Sequence, residues 1–572
     1  MGGLERRAEE PKERYQFTWP GKSRAARLAD APVFAALRPC REESVDFDNT
    51  GNLYIEGDNL EVLKLLQETY LGKVHLIYID PPYNTGRDFV YRDKFAESEE
   101  AYLADSGQRD EEGNRLFQNT ESNGRFHTNW LNMMYPRLKL ARTLLSEDGA
   151  IYISIDETEH ANLQKVCEEI FGGNNFVADI VWKRKRGRDN SARQFSRSHE
   201  YCLVYAKDKS RYETGYLKLD EKTRKAYKNP DRDPRGDYRM LGCWARGTQG
   251  GVKYAFTTKD GHYFPERLWL FSEESLRALD EEDKLVVRGD NLYRKMFLYE
   301  NKGKIPETLW EDASNAANAS DEIKKLFGEI IFDTPKPTPY IKRMLEISTR
   351  KDSLILDFFS GSATTANAVM AQNAEDGGER KYILVQIPET VPADSPAAKA
   401  GYANICEIGK ERIRRAAAEM RRQIRDAGLG EVTTDSGMDL GFRVLKLDSP
   451  NEKDVCICPS ELEQASLPGL VDHIKEDRTP EDLLFQAMLE LGIPLSARIR
   501  ETGEAGERVF DVEEGFLAAC LDSGVSEETV RAAARKKPVY AVFRDGSMTD
   551  DQMAGLERIF AAYSPKTVRK VL

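Results

Sequence analysis

The sequence has no run approaching the roughly 18 consecutive apolar residues that a membrane helix requires. Its first residues, MGGLERRAEEPKER, lack the apolar core of a secretory signal. Gly2 follows the first Met, but Arg6 stands where a myristoylation signal needs Ser or Thr. The expectation is a soluble, cytoplasmic protein. Cysteine is sparse: Cys40, Cys167, Cys202, Cys243, Cys406, Cys456, Cys458 and Cys520 show no C-x-x-C spacing, which points to reduced, buried thiols. Cys456 and Cys458 alternate with apolar neighbours in DVCIC, a strand pattern with no second ligand pair nearby, so no metal site is expected. Net positive charge is also missing. At −13 the chain cannot coat nucleic acid nonspecifically, and any phosphate contact must come from clustered basic residues. Gly21-Lys22-Ser23 looks like the end of a nucleotide-hydrolysing loop, but Gln16 fills the first glycine position and no buried strand precedes it, which excludes an ATPase of that kind.

At 572 residues the chain exceeds one compact core and should divide into several units. Residues 1–48 are charged and proline-punctuated, with short helical patterns, and read as an N-terminal arm. From Asn52, LYIEGDNLEVLKLL gives a short strand, a Gly-Asp turn and a helix. VHLIYID, AIYISID, LILDFF and YILVQI are nearly continuous apolar runs of strand length, the mark of strands buried on both faces. With amphipathic helices between them they specify an α/β fold, a doubly wound and mostly parallel sheet. Residues 49–182 and 333–425 read as the two parts of that core, and the basic, aromatic, Gly-rich stretch 183–332 as an insertion. After the linker DAGLGEVTTDSG, residues 436–572 read as a small α+β C-terminal domain.

The sharpest chemical feature is Asp80-Pro81-Pro82-Tyr83, at the C-terminal end of VHLIYI, where open α/β sheets present their ligands. An exocyclic amine on a nucleobase is a poor nucleophile because its lone pair is delocalised into the ring. Activating it takes acceptors that hold the N–H bonds and let nitrogen pyramidalise. Asp80 and the Pro81 carbonyl can be those acceptors, the two prolines fix the backbone, and Tyr83 offers a face for stacking. A base inside a duplex is out of reach of any such site, so it must be flipped out.

A second motif follows far downstream: Asp357-Phe358-Phe359-Ser360-Gly361-Ser362, then a helix starting near Thr364. Small residues let backbone approach a ligand, and a helix N-terminus offers N–H groups to a carboxylate. Together with DPPY this reads as a cofactor site. The next strand, YILVQI, offers Gln386, with Glu389 three residues on, and either can meet ribose hydroxyls. Asp58 can accept from a cofactor amine, or cap the helix at Leu60, or both. The basic run Lys183, Arg184, Lys185, Arg186 and Arg188, continued by Arg193 and Arg197, opens the insertion. A charge run is ordinarily a solvated face, but beside a base-modifying site in an acidic chain it points to DNA phosphates.

With DPPY preceding FSGS, the chain resembles the circularly permuted β-class amino-methyltransferases. More closely, it is similar to the modification (Mod) subunits of type III restriction-modification systems. The likeness runs through TWPGK, NLYIEGDNLEVLKLL, IYIDPPYNTG, NGRFHTNWLNMMYPRLKLA, SHEYCLVYAKD, DTPKPTPYIKRML, DFFSGSATTANAV, GFRVLKLDS and EDLLFQAMLELGIPLS, and into the terminal FRDGS and ERIFAAYSPKTVRKVL. The resemblance implies S-adenosyl-L-methionine as cofactor, with Lys336 and Pro337 beside it and Phe359 near its adenosine. It also implies methylation of adenine N6 on one strand of a short asymmetric site in double-stranded DNA, a homodimer, and a separate Res subunit carrying ATPase and nuclease. Gln386 departs from the family, where an acid commonly holds the ribose. Two other readings remain at this point: cytosine-N4 methylation, which more often has Ser at the position of Asp80, and a DNA-recognition subunit without activity, which has no physical need of Asp80 or Tyr83.

Overall fold

The computed structural model describes residues 15–86, 89–91, 116–118, 126–245, 250–426, 438–453, 473–504, 507–544 and 550–572. The DVCIC segment and most of the linker before residue 438 lie outside them. Cys40, Cys167, Cys202, Cys243, Cys406 and Cys520 are free and buried. Among the described residues, no helix is long and apolar enough to cross a membrane.

The chain separates into two compact units, one made of Met1–Glu213 with Thr308–Leu572 and the other of Thr214–Glu307. The first is built on a ten-stranded sheet. Its strands are β1 (Ala36–Val45), β2 (Leu53–Glu56), β3 (Val74–Ile79), β4 (Leu145–Ile155), β5 (Phe176–Lys183), β6 (His199–Ala206), β7 (Leu309–Trp310), β8 (Leu354–Asp357), β9 (Lys381–Gln386) and β10 (Phe442–Asp448). The spatial order is β1-β10-β2-β9-β8-β3-β4-β6-β5-β7. From β10 to β4 every pairing is parallel, and four of these strands, β9, β8, β3 and β4, are the apolar runs legible in the sequence.

The order creates one switch point. From β8 the chain moves outward to β9, whereas from β3 it moves the other way to β4, so a crevice opens beyond the ends of β3 and β8. Register sets Ile77 beside Leu356, which places Asp80 and Asp357 just past the same edge. β6 runs antiparallel to β4, with Ile155 opposite Tyr201, and β5 antiparallel to β6, with Lys183 opposite His199. The loop joining β5 to β6 therefore emerges at that edge too.

The boundaries of the sheet differ from a reading by texture. β1, from the expected arm, and β10, from the expected C-terminal domain, pair with each other at one side of the sheet. β5, β6 and β7 bring stretches on either side of the 183–332 boundary into the other side. EYCLVYA in β6 is a buried apolar run, but short and set among basic residues. The compact insertion is thus residues 214–307, with an antiparallel hairpin of Val252–Thr257 and Tyr263–Trp269 and a three-stranded sheet of Leu285–Arg288, Asn291–Phe297 and Tyr238–Gly242. Cys243, Phe256, Phe264, Trp269, Leu276 and Leu292 form its core. Toward the C-terminus, a five-stranded sheet runs Ile499–Glu504, Glu507–Val512, Leu517–Cys520, Tyr540–Phe543 and Val568–Val571.

Candidate active site

At the end of β3 the chain turns through Asp80-Pro81-Pro82-Tyr83 and reaches Asn84 with φ of 61°, in the left-handed region. An Asn tolerates that conformation when its side chain is fixed. Here its amide donates to Glu159 at 2.5 Å and to the Phe126 carbonyl at 3.3 Å. The Trp130 indole, on helix α1 (Phe126–Leu144), donates to the Pro82 carbonyl at 2.7 Å. The turn is thereby braced at Pro82 and Asn84, while no donor among the described residues reaches the Pro81 carbonyl.

Lys336 and Glu200 converge on Asp80 and Tyr83 of this turn. The Lys336 ammonium lies 2.7 Å from both Asp80 oxygens and 2.8 Å from the Tyr83 hydroxyl, and sits 4.9 Å from the Tyr83 ring centroid. The Tyr83 hydroxyl is 2.9 Å from Asp80 Oδ1 and 3.2 Å from Glu200 Oε2, so its one proton serves either carboxylate. Glu200, near the start of β6, takes a hydrogen bond from Arg184 on its other oxygen at 2.6 Å. Enclosure raises the Asp80 carboxyl above its ordinary range, and the Lys336 charge works against that rise. Burial lowers the Lys336 ammonium, but Asp80 and Glu200 outweigh it and the net shift is upward, so the lysine is held charged. Burial, with Asp80 and Glu200 adding to it, keeps Tyr83 a neutral phenol.

Across the crevice, β8 ends in the Asp357 turn. Asp357 is buried, accepting from the Phe359 amide at 3.1 Å and from the Thr365 hydroxyl, and burial pushes its carboxyl up to about 7. Gly361 has φ of 49° and Ala363 of 62°, both left-handed, before helix α2 (Thr364–Asp376) begins. Phe358 and Phe359 are buried, and Phe358 gives its carbonyl to the Asn59 amide at 2.6 Å. Asp58 caps the helix after it through the Leu60 amide, at 2.8 Å, and also takes a bond from the fully buried Arg137 at 3.3 Å. Ser362 and Thr364 give their hydroxyl oxygens to Arg412, at 2.8 and 2.6 Å. Arg412 is fully buried, and burial lowers its guanidinium to about 10.

Gln386 and Glu389 part ways. The Gln386 amide is consumed inside the chain, accepting from the Gly361 amide at 2.7 Å and donating to the Ile387 carbonyl at 3.2 Å. The Glu389 carboxylate is partly buried, has no partner among the described residues, and is raised by burial. Glu389 thus offers an acceptor three residues past the end of β9, on the side where open α/β sheets present their ligands.

Of the basic run, Arg184 points back to Glu200, Lys183 pairs with Glu311 at 3.3 Å, and Arg197 pairs with Glu157. Lys185, Arg186, Arg188 and Arg193 are exposed and form no ion pair among the described residues. The loop borders a hollow that it lines together with Asn315 and Asn318.

Sequence reasoning missed Glu200, Glu159, Trp130, Arg137 and Arg412. Glu200 and Arg137 are charged side chains among the apolar residues of buried elements, a signal that becomes readable only once the element is known to be buried; Trp130 reads as core, Glu159 precedes a helix, and Arg412 lies in the charge-rich helix Ile405–Asp426, so none of these stands out by type. Lys336 was expected beside a cofactor, and its ammonium rests on Asp80 and Tyr83.

Comparison with known proteins places these features in context. The DNA methylase family model matches residues 74–418. The StyLTI Mod subunit of the type III restriction-modification enzyme from Salmonella typhimurium strain LT2 is 39% identical over 452 residues, which is 77% of this chain and 67% of that one. The EcoPI Mod subunit of Escherichia phage P1 is 36% identical over 76% of this chain and 71% of its own. The type II methyltransferase M.KpnI of Klebsiella pneumoniae is 32% identical over 64% of this chain and 88% of its own.

Proposed function

The chain belongs to the DNA methylase family, in the company of the type III Mod subunits, and on that premise we propose that it methylates N6 of an adenine flipped out of duplex DNA, as the modification and recognition subunit of a type III restriction-modification system. The observation that carries this reading is the Asp80–Tyr83 pair, braced by Trp130 and Asn84 at the switch point of the sheet. S-adenosyl-L-methionine supplies an electrophilic methyl group on a sulfonium.

The chain's own residues do the rest. The extruded base stacks on Tyr83, offsetting part of the few kcal/mol that unstacking costs. Asp80 accepts one N6–H bond and the Pro81 carbonyl the other, drawing the lone pair out of conjugation with the ring. These acceptors need no reorganisation, because the prolines and the Trp130 bond fix them beforehand. When N6 takes the methyl group it becomes cationic and sheds a proton, and Asp80, with its raised affinity for protons, is in place to receive it.

Glu389 holds the cofactor's ribose, and Gln386 braces the turn. Asp357, Phe358, Phe359, Ser360, Gly361, Ser362 and Thr364 shape the cradle, and Arg412, Arg137 and Asp58 support it from behind. Glu389→Gln should weaken cofactor affinity several-fold in calorimetric titration, whereas an unchanged affinity would put the ribose elsewhere. Lys185, Arg186, Arg188 and Arg193 meet phosphates, and the 214–307 unit reads bases. The reading also includes a homodimer and a Res partner, which fit the relatives named as Mod subunits.

The test is transfer of labelled methyl from S-adenosylmethionine to DNA, with nucleoside analysis and mapping of the modified position. N6-methyladenine on one strand of a short asymmetric site supports the proposal. N4-methylcytosine, or no transfer by folded, cofactor-binding protein, overturns it.

A further inference from the structure

The folded site already contains a nitrogen where the proposed reaction needs one. We propose that Lys336 is a displaceable stand-in for the target amine, and that Glu200 receives its ammonium when the base enters. The inference rests on the adenine reading and deepens it, assigning Lys336 and Glu200 as positioning residues.

The geometry carries it in three steps. First, the Lys336 ammonium takes both Asp80 oxygens at 2.7 Å, the Tyr83 hydroxyl at 2.8 Å and a place over the Tyr83 ring. Those are the acceptor and the stacking face assigned to adenine N6. A second nitrogen donor at the same carboxylate would crowd the first. A retained cation would also oppose the positive charge that N6 gains on methylation. Second, a destination is at hand. Glu200 Oε2 is 3.6 Å from the ammonium, so roughly 1 Å of movement makes a hydrogen bond. The Tyr83 hydroxyl, at 3.2 Å, is the donor facing that oxygen, and Arg184 occupies the other. Third, Glu200 is buried and Pro335 and Pro337, on either side of Lys336, are buried as well. The backbone is pinned, and the lysine's freedom is confined to its side chain.

The displaced ammonium stays charged and keeps a carboxylate partner. That arrangement avoids an unpaired buried cation, which removal of the lysine from Asp80 would otherwise leave. Glu200 thus has a physical reason to be an acid inside the site, which stacking and amine activation alone do not supply.

The experiment uses the full chain and duplexes carrying its mapped site, with either adenine or purine, which lacks the 6-amine, at the target position. The ratio of Kd for purine to Kd for adenine reports what the amine contributes to binding. Lys336→Met should raise this ratio at least fivefold over the unmodified protein, since nothing then competes for Asp80. In single-turnover methylation Glu200→Gln should slow transfer at least tenfold, and the double variant Glu200→Gln/Lys336→Met should be faster than Glu200→Gln alone. A Glu200 of merely structural value would give a slower double variant. An unchanged ratio, or a slower double variant, overturns the proposal. Lys336→Gln repeats both measurements without the charge should the Met variant not fold, with the same signs expected. Failure of the adenine reading itself would show earlier, as the wrong methylated nucleoside from the unmodified protein.

Discussion

Two clusters of charge sit past the same edge of the large sheet and are built on opposite terms. In the crevice, Lys336, Arg184 and Arg412 each find partners in the chain: Asp80, Glu200, and the hydroxyls of Ser362 and Thr364. On the loop between β5 and β6, Lys185, Arg186, Arg188 and Arg193 stand in solvent with no ion pair among the described residues. One residue separates Arg184, turned inward to Glu200, from the exposed Arg186. The difference shows where preorganisation is needed. An acceptor that must act on a reacting atom, as Asp80 does in the proposed reaction, is held in place in advance, because reorganising it during the reaction would raise the barrier. Groups that grip a polyanion are left unanswered, because their partner arrives with the substrate and released counterions drive the binding.

The comparison breaks most visibly at Asp80. Asp80→Ala should lower methyl transfer by about 10³-fold, near the upper end of what loss of one preorganised group costs. Cofactor affinity should change little, and DNA affinity should lose no more than the target amine's contact with that carboxylate contributes. Near-normal turnover, measured by single-turnover methylation at saturating DNA, would move the chemistry away from the DPPY turn. The effect on the other side of the comparison is next in size. Replacing Lys185, Arg186, Arg188 and Arg193 by Gln should weaken DNA binding roughly 100-fold at moderate salt and reduce the slope of log K against log salt by about 3 to 4. Transfer at saturating DNA should stay within a few-fold of normal. An unaltered salt slope in anisotropy titrations would mean that the phosphates lie against another face.

The two clusters were unequally legible in the sequence. DPPY and the basic run are contiguous, so residue type and order alone announced them. The central strands were legible because burial on both faces leaves only apolar residues. β1 was not: ALRPCREESV, on the edge of the sheet, carries Arg38, Arg41, Glu42 and Glu43 among few apolar residues and reads as an arm until its pairing with β10 is seen. Within the site, the bond between Lys336 and Asp80 spans 256 positions, and no periodicity connects them. Gln386 shows the converse. Its position at the end of the strand suggested a ribose contact, although its type departs from the acid common in the family, and its amide is bonded to Gly361 and Ile387, which only a folded turn reveals.

The smallest effect sharpens the comparison by giving the interior cluster a signature that the loop cannot share. Asp357 ionises near pH 7 in the folded chain against about 4 when unfolded, because burial disfavours its charge. The folded state therefore holds a proton there that the unfolded state has lost between those values. Its stabilising contribution is complete below about pH 4, declines as pH rises, and is gone above about 7, at a slope of roughly 1.4 kcal/mol per pH unit within the window. Asp357→Asn removes the titration, so the melting temperature of the variant should fall less between pH 4.5 and 7 than that of the unmodified chain. The variant also trades one acceptor for a donor facing the Phe359 amide or the Thr365 hydroxyl, which lowers its stability at every pH by a similar amount and leaves the difference in slope readable. Equal slopes would mean that Asp357 is ionised throughout and that the cradle holds a charge where burial argues for none. Salt thus reads the exposed cluster and pH the buried one.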